Sequence, residues 1–191
     1  AERAEEYYIG PEQGKWLATV AAEHNNIQGA LEYARAEGEG EAGLRLAVSL
    51  YRYWHWRNYV DEGRQWLEAT LAATDGTDAL DALRARARHA AGVMALEQGD
   101  YAAATALLEG ALALRRALGD KEGEGASLNS LGVIAWEQGE YDRCQELLER
   151  SLALRRELGQ PHLLVTPLSN LGILALGRKE YAVAQAAFEE A

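Results

Sequence analysis

The sequence predicts an all-α protein made of antiparallel helix pairs that stack side by side. Apolar residues recur at helical spacing almost throughout the chain, which is typical of amphipathic helices. Only 3 prolines interrupt the 191 residues, and no alternating apolar and polar stretch indicates a strand. Residues 88–191 also repeat one pattern every 40 residues. A period of this size is typical of units that bury their apolar faces only by stacking on each other.

Gly92, Gly132 and Gly172 define the repeat. A tyrosine follows each of them after nine residues, and a small residue follows after twelve. A glycine facing a small residue lets two helix backbones approach closely, while tyrosines and leucines are expected to fill the space around them. Counting one divergent pair upstream, the predicted packing residues are Gly63, Gly92, Tyr101, Ala104, Gly132, Tyr141, Cys144, Gly172, Tyr181 and Ala184.

Helix boundaries follow from the apolar spacing and from the residues that cap helices. Gly99 is expected to end one helix in a left-handed conformation, and Asp100 to cap the next helix. Gly139 is expected to end the corresponding helix one repeat later, and Gly119 and Gly159 are expected to end the second helix of their repeats. In chain order, helices are predicted at 12–23, 26–37, 41–58, 60–73, 84–98 and 102–118.

The third repeat departs from this pattern at two places. Lys179 stands where the other repeats have their turn glycine. Thr166 and Pro167 suit a helix cap and a first helical position, so the helix between Pro161 and Gly177 is expected to start late or to bend.

The chain is expected to divide into three regions. A helical hairpin or junction occupies 1–37, and a divergent helix pair occupies 38–78. In that pair Tyr51 takes the glycine position and Gly63 the small position, so that the large and small partners exchange sides. The third region, 79–191, contains three repeats at about 79–119, 120–159 and 160–191.

The ends of the sequence indicate a fragment of a longer polypeptide. The first residue is Ala1 rather than methionine, and Ala191 falls within a predicted helix. A stack that stops there leaves an uncovered apolar face, for which we expect end-to-end self-association.

Composition argues against nucleic-acid and membrane partners. The net charge is −11 and the pI is about 4.9, which repels phosphate backbones and anionic lipid. No apolar stretch is long enough to span a bilayer. The single cysteine, Cys144, excludes an intrachain disulfide and is expected in a reducing, cytoplasmic environment.

No catalytic, cofactor or metal site is predicted, and the chain is not expected to be an enzyme. Gly38, Gly40 and Gly43 have dinucleotide-site spacing, but they follow a helix rather than a strand and lie among glutamates. We therefore expect a flexible loop between helices. The 4 histidines form no metal-binding pair, and no nucleophile is placed beside a base.

Residues 51–59 form the densest aromatic cluster in the chain. By helical spacing Tyr51, Trp54 and Tyr59 should serve the helix pair, while His55 and Trp56 should point outward. Two uses remain open: structural packing throughout, or partial lining of a recognition surface.

The glycine, tyrosine and small-residue frame of 88–191 resembles the tetratricopeptide repeat, in its longer form with a period near forty residues. The resemblance implies a right-handed α-α superhelix in which the first helix of each pair lines a concave surface. Positions three before and one, four and five after the glycine then face a ligand, with Arg45 and Arg86 extending the mouth. The implied binding residues are Arg45, Arg52, His55, Trp56, Arg86, His89, Glu97, Asn129, Trp136, Glu137 and Ser169, with the aliphatic Val48, Val93, Leu96, Val133, Ile173 and Leu176 and with Gly177 among them.

A second resemblance covers residues 16–67. Trp16, residues 23–34 and 43–47, Trp54 and residues 62–67 look like the junction that leads into the superhelical sensor of STAND-type signalling ATPases and bacterial transcriptional regulators. That resemblance implies a non-catalytic sensor of a protein, peptide or small molecule. A general protein-interaction scaffold and a small-molecule-binding superhelix are the alternatives.

Overall fold

All regular structure that the computed structural model describes, residues 12–191, is helical. The α-helices are α1 (Gln13–Ala22), α2 (His24–Ala36), α3 (Gly40–Trp56), α4 (Val60–Ala73), α5 (Asp81–Glu97), α6 (Tyr101–Leu118), α7 (Lys121–Glu137), α8 (Tyr141–Glu157), α9 (Val165–Gly177) and α10 (Tyr181–Glu190). Short 3-10 segments occupy Asp78–Leu80 and Pro161–Leu163. The predicted all-α class is confirmed, and residues 1–11 of the predicted N-terminal region lie outside the described residues.

The chain separates into two compact units, one ending at Leu107 and the other beginning at Leu108. In the first unit, α4 packs against both α3 and α5. Trp54, Tyr53 and Met94 are among the fully buried side chains of its core. In the second unit α7 packs on α8, α9 on α10, and α8 on α9. Leu148, Leu174 and Cys144 belong to the core there.

One turn geometry is used after several helices. Gly99, Gly139 and Lys179 have φ values of 74°, 76° and 62°, in the left-handed region. The following residue donates its N–H to the carbonyl five residues back, from Glu140 to Ala135 at 2.8 Å and from Glu180 to Ala175 at 2.8 Å. This is the bond that closes a helix when its C′ residue is left-handed. The third repeat therefore keeps the turn although it has lost the glycine.

Lys179 offers a test of this turn, because a non-glycine residue in the left-handed region costs roughly 1–2 kcal/mol. Lys179→Gly is expected to raise the free energy of unfolding by about 0.5–1 kcal/mol, the net of relieved strain and the chain entropy of glycine. Urea denaturation followed by helical circular dichroism measures it. Gly139→Lys is the matched control and should destabilise by about 1 kcal/mol; a stabilising effect there would contradict the assignment.

The repeat glycines allow close helix contacts in the second unit. A β-carbon on Gly132 would lie 2.9 Å from Leu148 Cδ2 and 3.5 Å from the carbonyl oxygen of Cys144. One repeat later, a β-carbon on Gly172 would lie 2.7 Å from the ring of Phe188. Each glycine therefore faces the large residue sixteen positions further on.

The tyrosines contribute less to this packing than the sequence predicts. Tyr141 and Tyr181 are 46% and 67% exposed, whereas Tyr101 is half-buried. Each is the first residue of the second helix of its pair, next to the turn, where its ring can point to solvent and away from the contact between the helices. The predicted small residues Ala104, Cys144 and Ala184 are all buried.

The divergent pair of the first unit uses a different large partner from the one predicted. A β-carbon on Gly63 would lie 2.9 Å from Trp54 Cε3 and 2.6 Å from Met94 Cε. Tyr51 is only half-buried, and its ring centroid lies 6.2 Å from that of His55. The large residue that meets Gly63 is thus Trp54, about one helical turn further along α3.

Among the described residues Arg84, Arg115 and Arg155 are buried, which was not predicted. Arg115 Nη1 donates to the carbonyl of Gly123 and to Ser127 Oγ, both at 2.7 Å. Arg155 Nη1 donates to the carbonyl of Leu163 at 2.6 Å, and burial lowers the pKa of its guanidinium. A β-carbon on Gly123 would come within 2.6 Å of Arg115 Nε, so this glycine makes room for the arginine. These contacts tie the end of a second helix to the segment that follows it.

The first helix of the third repeat starts late, as predicted: α7 begins at Lys121, 40 residues after the start of α5 at Asp81, whereas α9 begins at Val165, 44 residues after the start of α7. Thr166 and Pro167 were expected to cap and open it, but α9 already begins at Val165. Pro167 is buried within the first turn, where its missing N–H has no intrahelical partner to lose.

Candidate functional site

Residues of α7 and α9 come together around one pocket of the second unit. Val133, Trp136 and Glu137 line it from α7, and Asn170 and Ile173 line it from α9. Cys144 and Leu148 of α8 complete the lining. The pocket has a volume of about 200 Å³. Four of the positions implied by the resemblance, at 133, 136, 137 and 173, therefore share one cavity.

Trp136 forms a wall of this pocket because Gly177, which stands in the next repeat at the place of Glu137, leaves room for its ring. A β-carbon on Gly177 would lie 2.6 Å from Trp136 Cη2, so only glycine leaves room for the indole in this position. The ring centroid of Tyr141 lies 5.2 Å from that of Trp136. The indole is thus held between a bare backbone and a second ring while remaining half-exposed.

Two asparagines link the helices behind the pocket. Asn170 Nδ2 donates to Asn129 Oδ1 at 3.0 Å, and Asn129 is buried. The predicted ligand-facing amide of Asn129 is therefore engaged within the protein, while Asn170 lines the pocket and was not predicted. Ser169 is half-buried on the same helix.

In the first unit, four predicted residues meet on α3 and α5. His55 Nδ1 lies 2.7 Å from Glu97 Oε1, and the Arg52 guanidinium carbon lies 5.9 Å from the centroid of the Trp56 ring. The neighbouring Tyr51 hydroxyl has its pKa raised to about 12, first by burial and then by the Glu97 carboxylate. His55 and Trp56 point outward as expected, whereas Val48 is buried.

Three further predicted residues of the first unit are basic. Arg45 and Arg86 are exposed and His89 is half-buried. An Arg45 guanidinium nitrogen lies 3.9 Å from a carboxylate oxygen of Glu41 on the same helix.

The aromatic run of α3 also contains a contact that the spacing argument missed. Tyr53 is fully buried, and its hydroxyl lies 3.4 Å from His24 Nδ1. The His24 ring centroid lies 5.3 Å from that of Tyr59, and His24 Nε2 is 3.7 Å from Glu62 Oε2. Tyr53 therefore fixes α3 to α2, in addition to the predicted role of Trp54.

The glycine pattern at 38–43 has a packing role. Gly38 has a φ of 73° and ends α2, whereas Gly40 and Gly43 lie in the first turn of α3. A β-carbon on Gly40 would be 3.0 Å from Thr74 Cγ2, and one on Gly43 would be 3.4 Å from Thr70 Cγ2. The expected flexible loop is therefore a helix start held close to α4.

Within residues 12–191, no cluster of three or more acidic, histidine or cysteine side chains is placed to hold a metal ion. None of the described helices is both long and apolar enough to cross a bilayer.

The sequence model of the Tetratricopeptide repeat family matches residues 83–157 and again 123–191. The chain belongs to the tetratricopeptide repeat family. The matched residues include the glycine contacts of Gly132 and Gly172, and the repeat resemblance is thereby confirmed. No curated protein sequence matches the chain.

Solved structures with the same fold are similar over nearly the whole chain. BtubC (BKLC) from P. vanneervenii has a TM-score of 0.74 at 18% identity, covering 98% of this chain and 79% of its own. MamA has a TM-score of 0.66 at 17% identity, and the match covers 96% of this chain and 93% of MamA. A Podosopora anserina protein with nearly identical TPR-like repeats has a TM-score of 0.63 at 18% identity, and the match covers 91% of this chain and 93% of that protein. At such identities the likeness shows the fold alone.

Proposed function

We propose that the chain is a peptide-binding tetratricopeptide module that uses the α7–α9 pocket of the second unit. The observation that carries the proposal is the half-exposed Trp136, held in place by Gly177 and flanked by Val133 and Ile173. Aromatic anchors in partly apolar clefts contribute much of the energy of protein recognition. Tetratricopeptide domains bind proteins or peptides, in keeping with this use.

The pocket volume favours one side chain of a larger partner over a free small molecule. Pockets for drug-sized ligands have volumes of about 300–1,000 Å³ and enclose most of the ligand. The α7–α9 pocket has about 200 Å³ and stays open on one side. A peptide that inserts one side chain uses such a cavity fully.

Trp136→Ala tests this proposal. Peptides selected from a random-sequence display library against the wild-type chain should bind Trp136→Ala at least about tenfold more weakly, as expected for an aromatic anchor. Isothermal titration calorimetry with purified peptides measures the affinities. Gly177→Ala, which displaces the indole without removing it, should also weaken binding.

Tyr33→Ala is the matched control, because Tyr33 is 65% exposed on α2 of the other unit. Its affinity for the selected peptides should equal that of the wild type. Equal affinities for wild type and Trp136→Ala would overturn the proposal.

We propose further that the module is the sensor part of a cytoplasmic STAND-type regulator, with a general interaction scaffold as the alternative. The support is the sequence pattern at 16–67, whose residues His24, Glu62 and Leu67 pack in the first unit. In the full-length polypeptide, a selected peptide should then change the rate of nucleotide hydrolysis. A full-length polypeptide without a nucleotide-binding module would favour the scaffold.

Self-association through α10 is a further proposal. Its exposed apolar residues are Tyr181, Val183 and Phe188. The molar mass measured by light scattering should then rise with protein concentration, and a mass that stays at the monomer value would contradict the proposal.

A further inference from the structure

The α7–α9 pocket has an apolar interior and a single ionised group. Its lining consists of aliphatic, indole, thiol and amide side chains together with the carboxylate of Glu137. Glu137 is the last residue of α7 and is exposed at the edge of the cavity. A ligand side chain in the pocket therefore meets apolar walls inside and one negative charge at the entrance.

The Glu137 carboxylate differs from its counterpart one repeat earlier. Glu97, forty residues before it, is paired with His55 Nδ1 at 2.7 Å. Within the described residues, Glu137 makes neither a hydrogen bond nor an ion pair. The exposed Glu137 carboxylate is therefore available to a charged or hydrogen-bonding group of a partner, whereas the Glu97 carboxylate already has the His55 ring beside it. The net charge of −11 also favours the approach of a cationic partner.

Distances on the helix fix where that cation should lie in a peptide. Val133 and Glu137 are four residues apart on α7, so their β-carbons are separated by about 5–6 Å. Residues of an extended peptide advance by about 3.3 Å each. In the peptide, the residue whose side chain reaches Glu137 therefore lies within two residues of the one whose side chain packs beside Val133.

We propose that the pocket recognises a peptide segment in which an aliphatic or methionine side chain stands within two residues of a lysine or arginine. The apolar side chain enters between Val133 and Ile173, and the cation pairs with Glu137. This inference rests on the proposed peptide-binding function and adds the chemistry of the partner.

The test uses the random-sequence display library again and compares the enriched sequences. Peptides that depend on Trp136 should be enriched in an aliphatic or methionine residue with lysine or arginine one or two positions away. Glu137→Gln should weaken these peptides about three- to fivefold, and the loss should shrink at high salt because exposed ion pairs are screened. Glu137→Lys should shift the enrichment toward acidic peptides.

Glu32→Gln is the matched control, since it removes the same charge from an exposed position on α2. It should leave peptide affinity unchanged. An equal loss in Glu32→Gln and Glu137→Gln would overturn the proposal by showing only an effect of net charge.

The outcomes separate this inference from the proposed function. One outcome is that the selected peptides bind Trp136→Ala weakly and yet carry no basic residue and bind Glu137→Gln as well as the wild type. That result would support the proposed function and overturn the proposed partner chemistry. A selection that yields no peptide dependent on Trp136 overturns both.

Discussion

Gly132→Leu is expected to lower the free energy of unfolding by about 3 kcal/mol, because it overpacks a close helix contact. Even the first added carbon would lie 2.9 Å from Leu148 Cδ2 and 3.0 Å from Leu148 Cγ. Leu148 is buried in the core of the second unit and has little room to move. Urea denaturation followed by helical circular dichroism measures the change.

Gly29→Leu is the matched control for this substitution. Gly29 lies inside α2 with nothing within 4 Å of a β-carbon, and it is exposed. Because leucine is a better helix former than glycine, this variant should be stabilised by about 0.5–1 kcal/mol. A Gly132→Leu protein as stable as the wild type would show that the repeat glycines do not set the spacing of the helices.

Trp54→Ala is expected to cost about 3–5 kcal/mol of unfolding free energy, the range for removing a large aromatic side chain from a core. Trp54 is 1% exposed, and its ring lies against Gly63 of α4. The lost volume leaves a cavity that the neighbouring helices cannot fully close. Chemical denaturation measures the change.

Trp56→Ala on the same helix is the control for this prediction. Trp56 is 37% exposed and lies near the Arg52 guanidinium. Its removal should cost less than that of Trp54, because Trp56 lies at the surface and its loss leaves no enclosed cavity. Similar costs for the two variants would contradict the placement of α3.

The sequence predicted the parts of the fold that depend on backbone geometry and on period. Gly99, Gly119, Gly139 and Gly159 occupy the left-handed positions expected of them, since only glycine adopts that geometry without strain. The glycines of the repeat predicted close helix contacts, and the 40-residue spacing predicted where these recur.

Details that depend on side-chain direction were not predicted. Helical spacing assigns both Tyr51 and Trp54 to the contact within the helix pair, and only the packing of α4 shows that Trp54 meets Gly63. The burial of Arg115 was not predicted either, because it depends on Gly123 and Ser127 of the following helix. The recurrence of Arg-Arg at 115–116 and 155–156, at the period of the repeat, was the available sequence signal.

The candidate site was predicted by position but not by contact. Trp136 and Glu137 were expected on an open face, and the structure adds the pocket between them and α9. Asn170 escaped prediction because its role depends on the amide of Asn129 one repeat earlier. Such a contact between repeats is invisible to an argument made one helix at a time.

Chemical-shift mapping of a bound peptide on the isotopically labelled chain tests the central claim most directly. The largest shifts should occur at the Trp136 indole and at the methyl groups of Val133 and Ile173, all of which surround one pocket. Largest shifts instead in the groove between α8 and α10, at Leu152 and Val183, with the Trp136 indole unchanged, would contradict the account.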